Sequence, residues 1–518
     1  MKKGKFLPYL LILLLIPFYY ILYKLYIPRI SAFGCFDDCN NFMGGYFLLH
    51  GKKLFSEIFF NHQPMAAYLS YLIQAITSPV NIFELILRHR QFIMLFGFLF
   101  NILLIFRFGL PAFLFALIFE TSKFYLFGDR FLSEGMIVYP LAYLSGLVFY
   151  KFTNRKLLTI DYLLSSIFTW FIIFSREPYV PLALFAYVFL LAGKPFDNSK
   201  KISISIFLFL SIVSTFYHDA WEYFFNVAVV NYAAVLPADI KTDMFGPRLL
   251  QSFFYPLYIL FYGKMTIFKQ ILVGIDIIFL TFISILFFEK KLKIAFPILF
   301  LLALANIRVV IPGSIFFEAF HMLVWFGMFT FITLLLLFYN SLNHPVFIFL
   351  SVVVLLFLTS FLTSKSYFAY EKVDGHVEHI TNYGPILQMG SVINALASPG
   401  DTLFLDGSDD LVYWQAKALS SYKYSWFTSV MNYFPKYTEA RIKMFRENPP
   451  DFYKEYGFCD KIEQIPGYSL PDFVKNSYVR LVADKKPSCL FVKKSKLDKI
   501  TPDQWKKANE WLYTDPSE

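Results

Sequence analysis

Eleven stretches of about 20 mostly apolar residues crowd the first 363 positions of this chain. They lie at roughly 6–27, 89–107, 109–127, 131–150, 157–175, 178–193, 202–217, 266–288, 294–311, 316–339 and 344–363. A helix rises 1.5 Å per residue, so about 20 residues match a hydrocarbon layer of about 30 Å. Two further stretches, near 64–79 and 249–262, are broken by Pro, Gln or Tyr and read as interfacial or re-entrant pieces. Counted as spans they would give thirteen and preserve the same ends. The chain is 57% apolar and 16% charged, with 66 Phe and 35 Tyr. A soluble domain has about 45–50% apolar and about 25% charged residues, so a soluble enzyme, a disordered chain and a collagen-like rod are excluded.

The net charge of +10 separates along the chain. Residues 364–518 hold 20 Lys/Arg and 20 Asp/Glu, whereas residues 1–363 hold 27 against 17. The excess therefore belongs to the apolar part, where it reports orientation. The first run follows Lys2, Lys3 and Lys5, like a signal peptide, but it is long and lacks a small-residue cleavage site, so it reads as an anchor. With the amino terminus cytoplasmic, the connections 107–109, 151–156, 194–201, 289–293 and 340–343 become cytoplasmic. Together with the three terminal lysines they hold thirteen basic residues and two acids, Asp197 and Glu289. This agrees with the positive-inside rule and places the carboxy terminus outside, as expected for a multi-pass protein of a bacterial-type plasma membrane.

After Leu362 the texture changes. Pro-Gly-Asp, Asp-Gly-Ser and Pro-Pro-Asp turn signals separate short apolar strings such as Thr402–Leu405 and Leu490–Val492, and helical patterns fall near 385–397 and 436–447. Residues 364–518 are thus expected to form a small extracytoplasmic α/β domain, following a transmembrane domain over 1–363 whose first outer loop, 28–88, carries interfacial helices. All four cysteines fall in segments assigned outside, where an oxidising environment allows pairing. A Cys459–Cys489 bridge within one compact domain is expected, with Cys35 and Cys39, only four apart, as ordinary thiols.

Acids at span ends are candidate functional groups because charge in the membrane is expensive. The sharpest cluster is Gly34-Cys35-Phe36-Asp37-Asp38, followed by the stripe Phe42, Tyr46 and Leu49, which suits a helix on the membrane surface. Gly51-Lys52-Lys53-Leu54-Phe55 and Phe59-Phe60-Asn61-His62-Gln63-Pro64 come next. The bland alternative is a solvated loop in which Asp38 caps the helix. A second cluster is Gly128-Asp129-Arg130-Phe131-Leu132-Ser133-Glu134, where Asp129 and Arg130 could simply pair. A third is Asn306-Ile307-Arg308, with Glu318 and His321 beyond it; the planar fork of an Arg suits a phosphate. Arg176-Glu177 reads as a local ion pair, and Asp276, mid-span, as facing a partner inside the bundle. No Gly-rich phosphate loop or Gly-x-Ser-x-Gly elbow occurs, His376 and His379 have the wrong spacing for a helical zinc pair, and the charge-balanced carboxy-terminal domain gives no nucleic-acid footprint.

Asp-Asp, an amphipathic helix ending at Gly51, an aromatic turn and His-x-Pro together resemble the first extracytoplasmic loop of GT-C glycosyltransferases, of the protein-mannosyltransferase and aminoarabinose-transferase type. The resemblance covers roughly residues 1–340 and is strongest at 34–64. It implies a polyprenyl-phosphate sugar as donor and a catalytic carboxylate at Asp38, or second to it Asp37, with Lys52 and His62 in the substrate loop. Glu134 stands where many members have Asp, and Arg308, Arg130 and His321 match donor-phosphate residues. The implied reaction is an inverting displacement with Asp38 as general base on an acceptor hydroxyl. The acceptor, whether glycan, lipid or protein, is open. So is a divalent cation, which Asp38 or Glu134 would hold; no other cofactor is implied. Membrane lipids are expected partners and nucleic acid is not. The alternative is a transporter or flippase of a lipid-linked or phosphorylated solute, using Asp276, Arg308 and Asp161.

Overall fold

The computed structural model describes residues 6–30, 37–193, 197–235, 250–256, 267–306, 308, 315–340, 383–407, 411–455 and 469–516. The chain divides into two compact units, both discontinuous in sequence. Met1–Ile30, His89–Ser214 and Asp239–Lys372 make the first; Ser31–Arg88, Thr215–Ala238 and Val373–Glu518 make the second.

The helices are α1 (Leu7–Ile30), α2 (Asp37–Leu49), α3 (Met65–Thr77), α4 (Ile82–Phe108), α5 (Leu110–Ser122), α6 (Ser133–Phe152) and α7 (Thr159–Ile173). They continue with α8 (Val180–Leu191), α9 (Asn198–Phe216), α10 (Ala220–Phe224), α11 (Ile267–Phe288), α12 (Leu292–Ala305) and α13 (Ile315–Asn340). Among the described residues, six helical stretches are long and apolar enough to cross a membrane: Leu7–Ile27, Ile82–Phe108, Ser133–Phe152, Asn198–Phe216, Gln270–Phe288 and His321–Tyr339. The other apolar runs are cut short by local chemistry. Lys123–Leu126 tighten into a 3₁₀ turn after α5, and Pro178 stands in the 3₁₀ turn that separates α7 from α8. The run expected at 344–363 lies outside the described residues.

In the first unit α6 and α13 form the buried centre. Gly327 brings α13 against Val138 of α6, where a Cβ would clash. Helix α9 is mostly exposed, presenting Leu208, Phe209 and Ile212 outward, as a lipid-facing helix does.

The second unit joins α2 and α3 to the carboxy-terminal domain. Gly45 lets α2 approach the backbone of α3 at Ser70 and Tyr71, and Gln74 donates to Phe42 O at 2.8 Å while accepting from Trp414 Nε1 at 3.0 Å. The domain holds a six-stranded sheet of order β2-β1-β3-β5-β4-β6, formed by β1 (Thr402–Leu405), β2 (Leu419–Ser420), β3 (Phe452–Lys454), β4 (Tyr478–Ala483), β5 (Lys486–Lys493) and β6 (Tyr513–Thr514). Strand β1 runs parallel to β2 and β3, and the remaining pairs are antiparallel. Asp484 and Lys485, both at positive φ, make the two-residue turn between β4 and β5. Helices Gly384–Leu396 and Pro435–Glu447 and strands β1 and β5 fall where the sequence pattern places them.

Candidate functional site

Glu134 is in the first turn of α6, where the helix dipole favours an anion. Arg176 follows α7 in extended backbone, and Arg308 follows α12. These three segments bring both guanidiniums to one oxygen: Arg176 Nε donates to Glu134 Oε1 at 2.8 Å, and Arg308 Nη1 donates to the same atom. Their side chains are 11%, 7% and 3% exposed for Arg176, Arg308 and Glu134, so two positive charges share one buried carboxylate. His321 of α13 is buried and its Nδ1 lies 2.7 Å from the Arg308 carbonyl. A carbonyl only accepts, so Nδ1 carries the proton. Tyr179, also buried, stands in the field of all three charges.

One sequence expectation changes here. Arg176 pairs with Glu134 instead of its neighbour Glu177, because the 3₁₀ turn Glu177–Tyr179 breaks the helix that a local pair would need. Arg130 lays its guanidinium over the Phe127 ring at 4.4 Å, and the side chain of Asp129 is buried. Asp276 is half-buried in α11, and its Oδ2 has no hydrogen-bond partner among the described residues. Asp161 is fully engaged: Arg107 holds it with two bonds at 2.7 and 2.8 Å, and Tyr143 donates to it at 2.8 Å.

A second buried network in the first unit has no counterpart in the sequence reading. Glu120 Oε1 accepts from Tyr139 at 2.5 Å and Asn101 at 3.0 Å, while Lys123 Nζ lies 2.7 Å from Glu120 Oε2. Two opposite charges three residues apart in an apolar run were the available signal, since such charges are tolerated only when paired.

In the second unit, Asp38 lies inside the first turn of α2 and is 1% exposed. The solvated-cap alternative therefore does not hold for it. Asp37 opens the same helix. Phe42 and Tyr46 are buried in protein, so the stripe that suggested a membrane-lying helix packs within this unit, and only Leu49 is exposed. His62 sets its ring edge-on to Phe60 at 6.0 Å. Lys52 donates to the carbonyls of Tyr422 at 3.2 Å and Ser420 at 3.4 Å, and burial pushes its ammonium down to about 8, with Glu57 pulling the other way. It lines a cavity of about 750 Å³ together with residues of α3 and the turn at 217–219. In the carboxy-terminal domain, Asp406 follows β1 and receives Arg441 at 2.9 and 2.5 Å and Tyr453 at 2.5 Å. Burial first, and the Asp406 carboxylate second, push the Tyr453 hydroxyl far up its range.

Cys39 and Cys489 are both disulfide-bonded. Cys489 was expected in a bridge; Cys39 was expected as a thiol, and that expectation is corrected. Cys35 and Cys459 lie outside the described residues. Among the described residues no three His, Cys, Asp or Glu side chains come together to hold a metal ion. No family model matches this chain, and no curated protein matches it.

Proposed function

We propose that the protein is an integral membrane glycosyltransferase that moves a sugar from a polyprenyl-phosphate donor to an acceptor hydroxyl on the extracytoplasmic side, with inversion. The observation that carries this reading is the convergence of Arg176 and Arg308 on Glu134. Both guanidiniums lie nearly buried beside one carboxylate, a setting where electrostatic attraction is strong. A phosphate is the matching anion, and Arg offers it a two-pronged, charge-assisted bond. A dication on Glu134 would sit beside two guanidiniums, which disfavours metal at that carboxylate. Disulfide-bonded Cys39 and Cys489 support an oxidising, extracytoplasmic location for the second unit.

In the reaction, the acceptor oxygen attacks the anomeric carbon as its proton passes to a carboxylate, the role that the resemblance gives to Asp38. The bond from that carbon to the phosphate oxygen breaks, and the electron pair leaves on the phosphate. A guanidinium that meets the developing charge, the role that the resemblance gives to Arg308, spares the leaving group a proton. Asp38 as base contributes about 10²–10⁴-fold. The engagement of Asp161 by Arg107 weighs against its use as a transporter's mobile charge.

The test is transfer by purified full-length protein from a polyprenyl-phosphate hexose, read as release of polyprenyl phosphate. Asp38→Asn is expected to abolish release while the protein still purifies as a folded monodisperse species. Full activity in that variant would remove Asp38 from the mechanism.

A further inference from the structure

The cavity in the second unit lies between the turn after α2, the outer side of α3 and the turn at 217–219. Its size falls within the range of small-molecule sites, roughly 300–1,000 Å³. Its wall is mixed: the rings of Tyr68, Tyr71 and Tyr217 stand among Lys52, His218 and Asp219. The rings hold one another. His218 lies against Tyr217 at 5.4 Å, Tyr68 at 5.6 Å and Phe55 at 4.9 Å, and the Tyr68 hydroxyl is 3.5 Å from its Nδ1.

This chemistry fits one class of ligand. An anion site is disfavoured, because Lys52 already donates to two carbonyls and the Asp219 carboxylate stands in the same wall. A purely apolar ligand would strand the polar groups. Burial pushes His218 down to about 4, so at neutral pH it offers one donor and one acceptor. Asp219 caps α10 through Oδ1 alone, accepting from Trp221 N and Glu222 N at 3.0 Å, so Oδ2 remains able to accept. Flat aromatic faces for C–H surfaces, beside groups that both donate and accept, suit a neutral polyhydroxyl ring.

We propose that this cavity binds a neutral saccharide, which in the transferase reading is the acceptor. Only the word acceptor rests on that reading; the binding site stands on its own geometry.

The experiment is saturation-transfer NMR on the full-length protein in detergent, without donor, with maltotriose, mannotriose and chitotriose as probes. At least one sugar is expected to receive saturation. Tyr217→Ala, which removes an exposed ring, should weaken its binding about tenfold, as expected for a lost stacking contact of about 1.4 kcal/mol. Ser56→Trp, which fills the cavity, should abolish it. No saturation of any sugar in the wild type overturns the proposal. So does binding that both variants leave intact, or displacement of the sugar by millimolar inorganic phosphate. A sugar that binds but is never glycosylated refutes its role as acceptor and leaves the site standing, whereas failure to release polyprenyl phosphate from any donor refutes the transferase reading.

Discussion

Arg176 and Arg308 reach the same carboxylate oxygen of Glu134 from chain positions 132 residues apart. Removing that carboxylate takes a shared anion from two buried guanidiniums. Glu134→Gln should therefore lower unfolding stability by about 3–5 kcal/mol, the usual cost of breaking a buried pair. The thermal midpoint in detergent measures it. Inorganic phosphate should restore part of the loss in the variant and move the wild type less, because in the variant it replaces the missing charge. A midpoint indifferent to both changes would show that Glu134 is not what holds the two guanidiniums.

Gly45 makes a separable prediction about the second unit. A Cβ there would stand 2.7 Å from Tyr71 N and 2.8 Å from the Ser70 carbonyl carbon, and backbone cannot swing aside. Gly45→Ala should force α2 from α3 and cost about 1–3 kcal/mol. Gly44→Ala faces the Ala67 Cβ at 3.0 Å and should cost less. Limited proteolysis at the 50–60 turn should rank the two in that order; the reverse order would contradict the packing.

Disulfide status follows directly from Cys39 and Cys489. Alkylation of unfolded, non-reduced protein should leave both unmodified, and prior reduction should expose both to the reagent. Mass spectrometry of the peptides reads this out. Modification of either residue without reduction would contradict the bonded state.

These features were unequally legible in the sequence. Thr402–Leu405 announced a strand because a short apolar string lay between turn signals, and Pro435–Glu447 announced a helix by its period. Glu134 and Arg308 were both legible as charges at the ends of apolar runs, but their meeting was not, since 174 residues separate them. Arg176 was misassigned because sequence offers the nearest acid first, whereas the fold offers Glu134 from another helix. The stripe Phe42 and Tyr46 was correctly apolar, but periodicity tells which face is buried and not whether lipid or protein covers it. Asp406, Arg441 and Tyr453 gave no local signal at all; their spacing follows no helical or strand period, and only the sheet brings them together.

That triad predicts non-additive stability. Arg441→Ala leaves Asp406 buried and charged, with the Tyr453 hydroxyl 2.5 Å away but no guanidinium, and should cost about 3–5 kcal/mol. Asp406→Asn with Arg441→Met removes both charges together and should cost less than Arg441→Ala alone. Denaturant unfolding followed by Trp426 and Trp414 fluorescence compares the two, because both indoles are buried in this unit. Equal or additive costs would show that the ion pair is not the organising contact.

His218 supplies the pH dependence. Its ordinary value is 6.5, and burial pushes it down to about 4, so the folded protein resists a proton that the unfolded chain accepts. The stability gained by keeping this ring neutral is present above about pH 6.5 and is lost as the pH falls toward about 4. Asp219 and the hydroxyls of Tyr68, Tyr217 and Tyr223 are the polar neighbours, and burial pushes the Tyr68 hydroxyl up, away from this window. The thermal midpoint should therefore drop between pH 6.5 and 4, and His218→Gln should flatten part of that drop while leaving the midpoint at pH 7.5 within a few degrees. Saccharide binding at the cavity should weaken over the same window, because a protonated imidazole loses its acceptor. If His218→Gln shows the same pH slope as the wild type in both measurements, the ring is not the group that titrates.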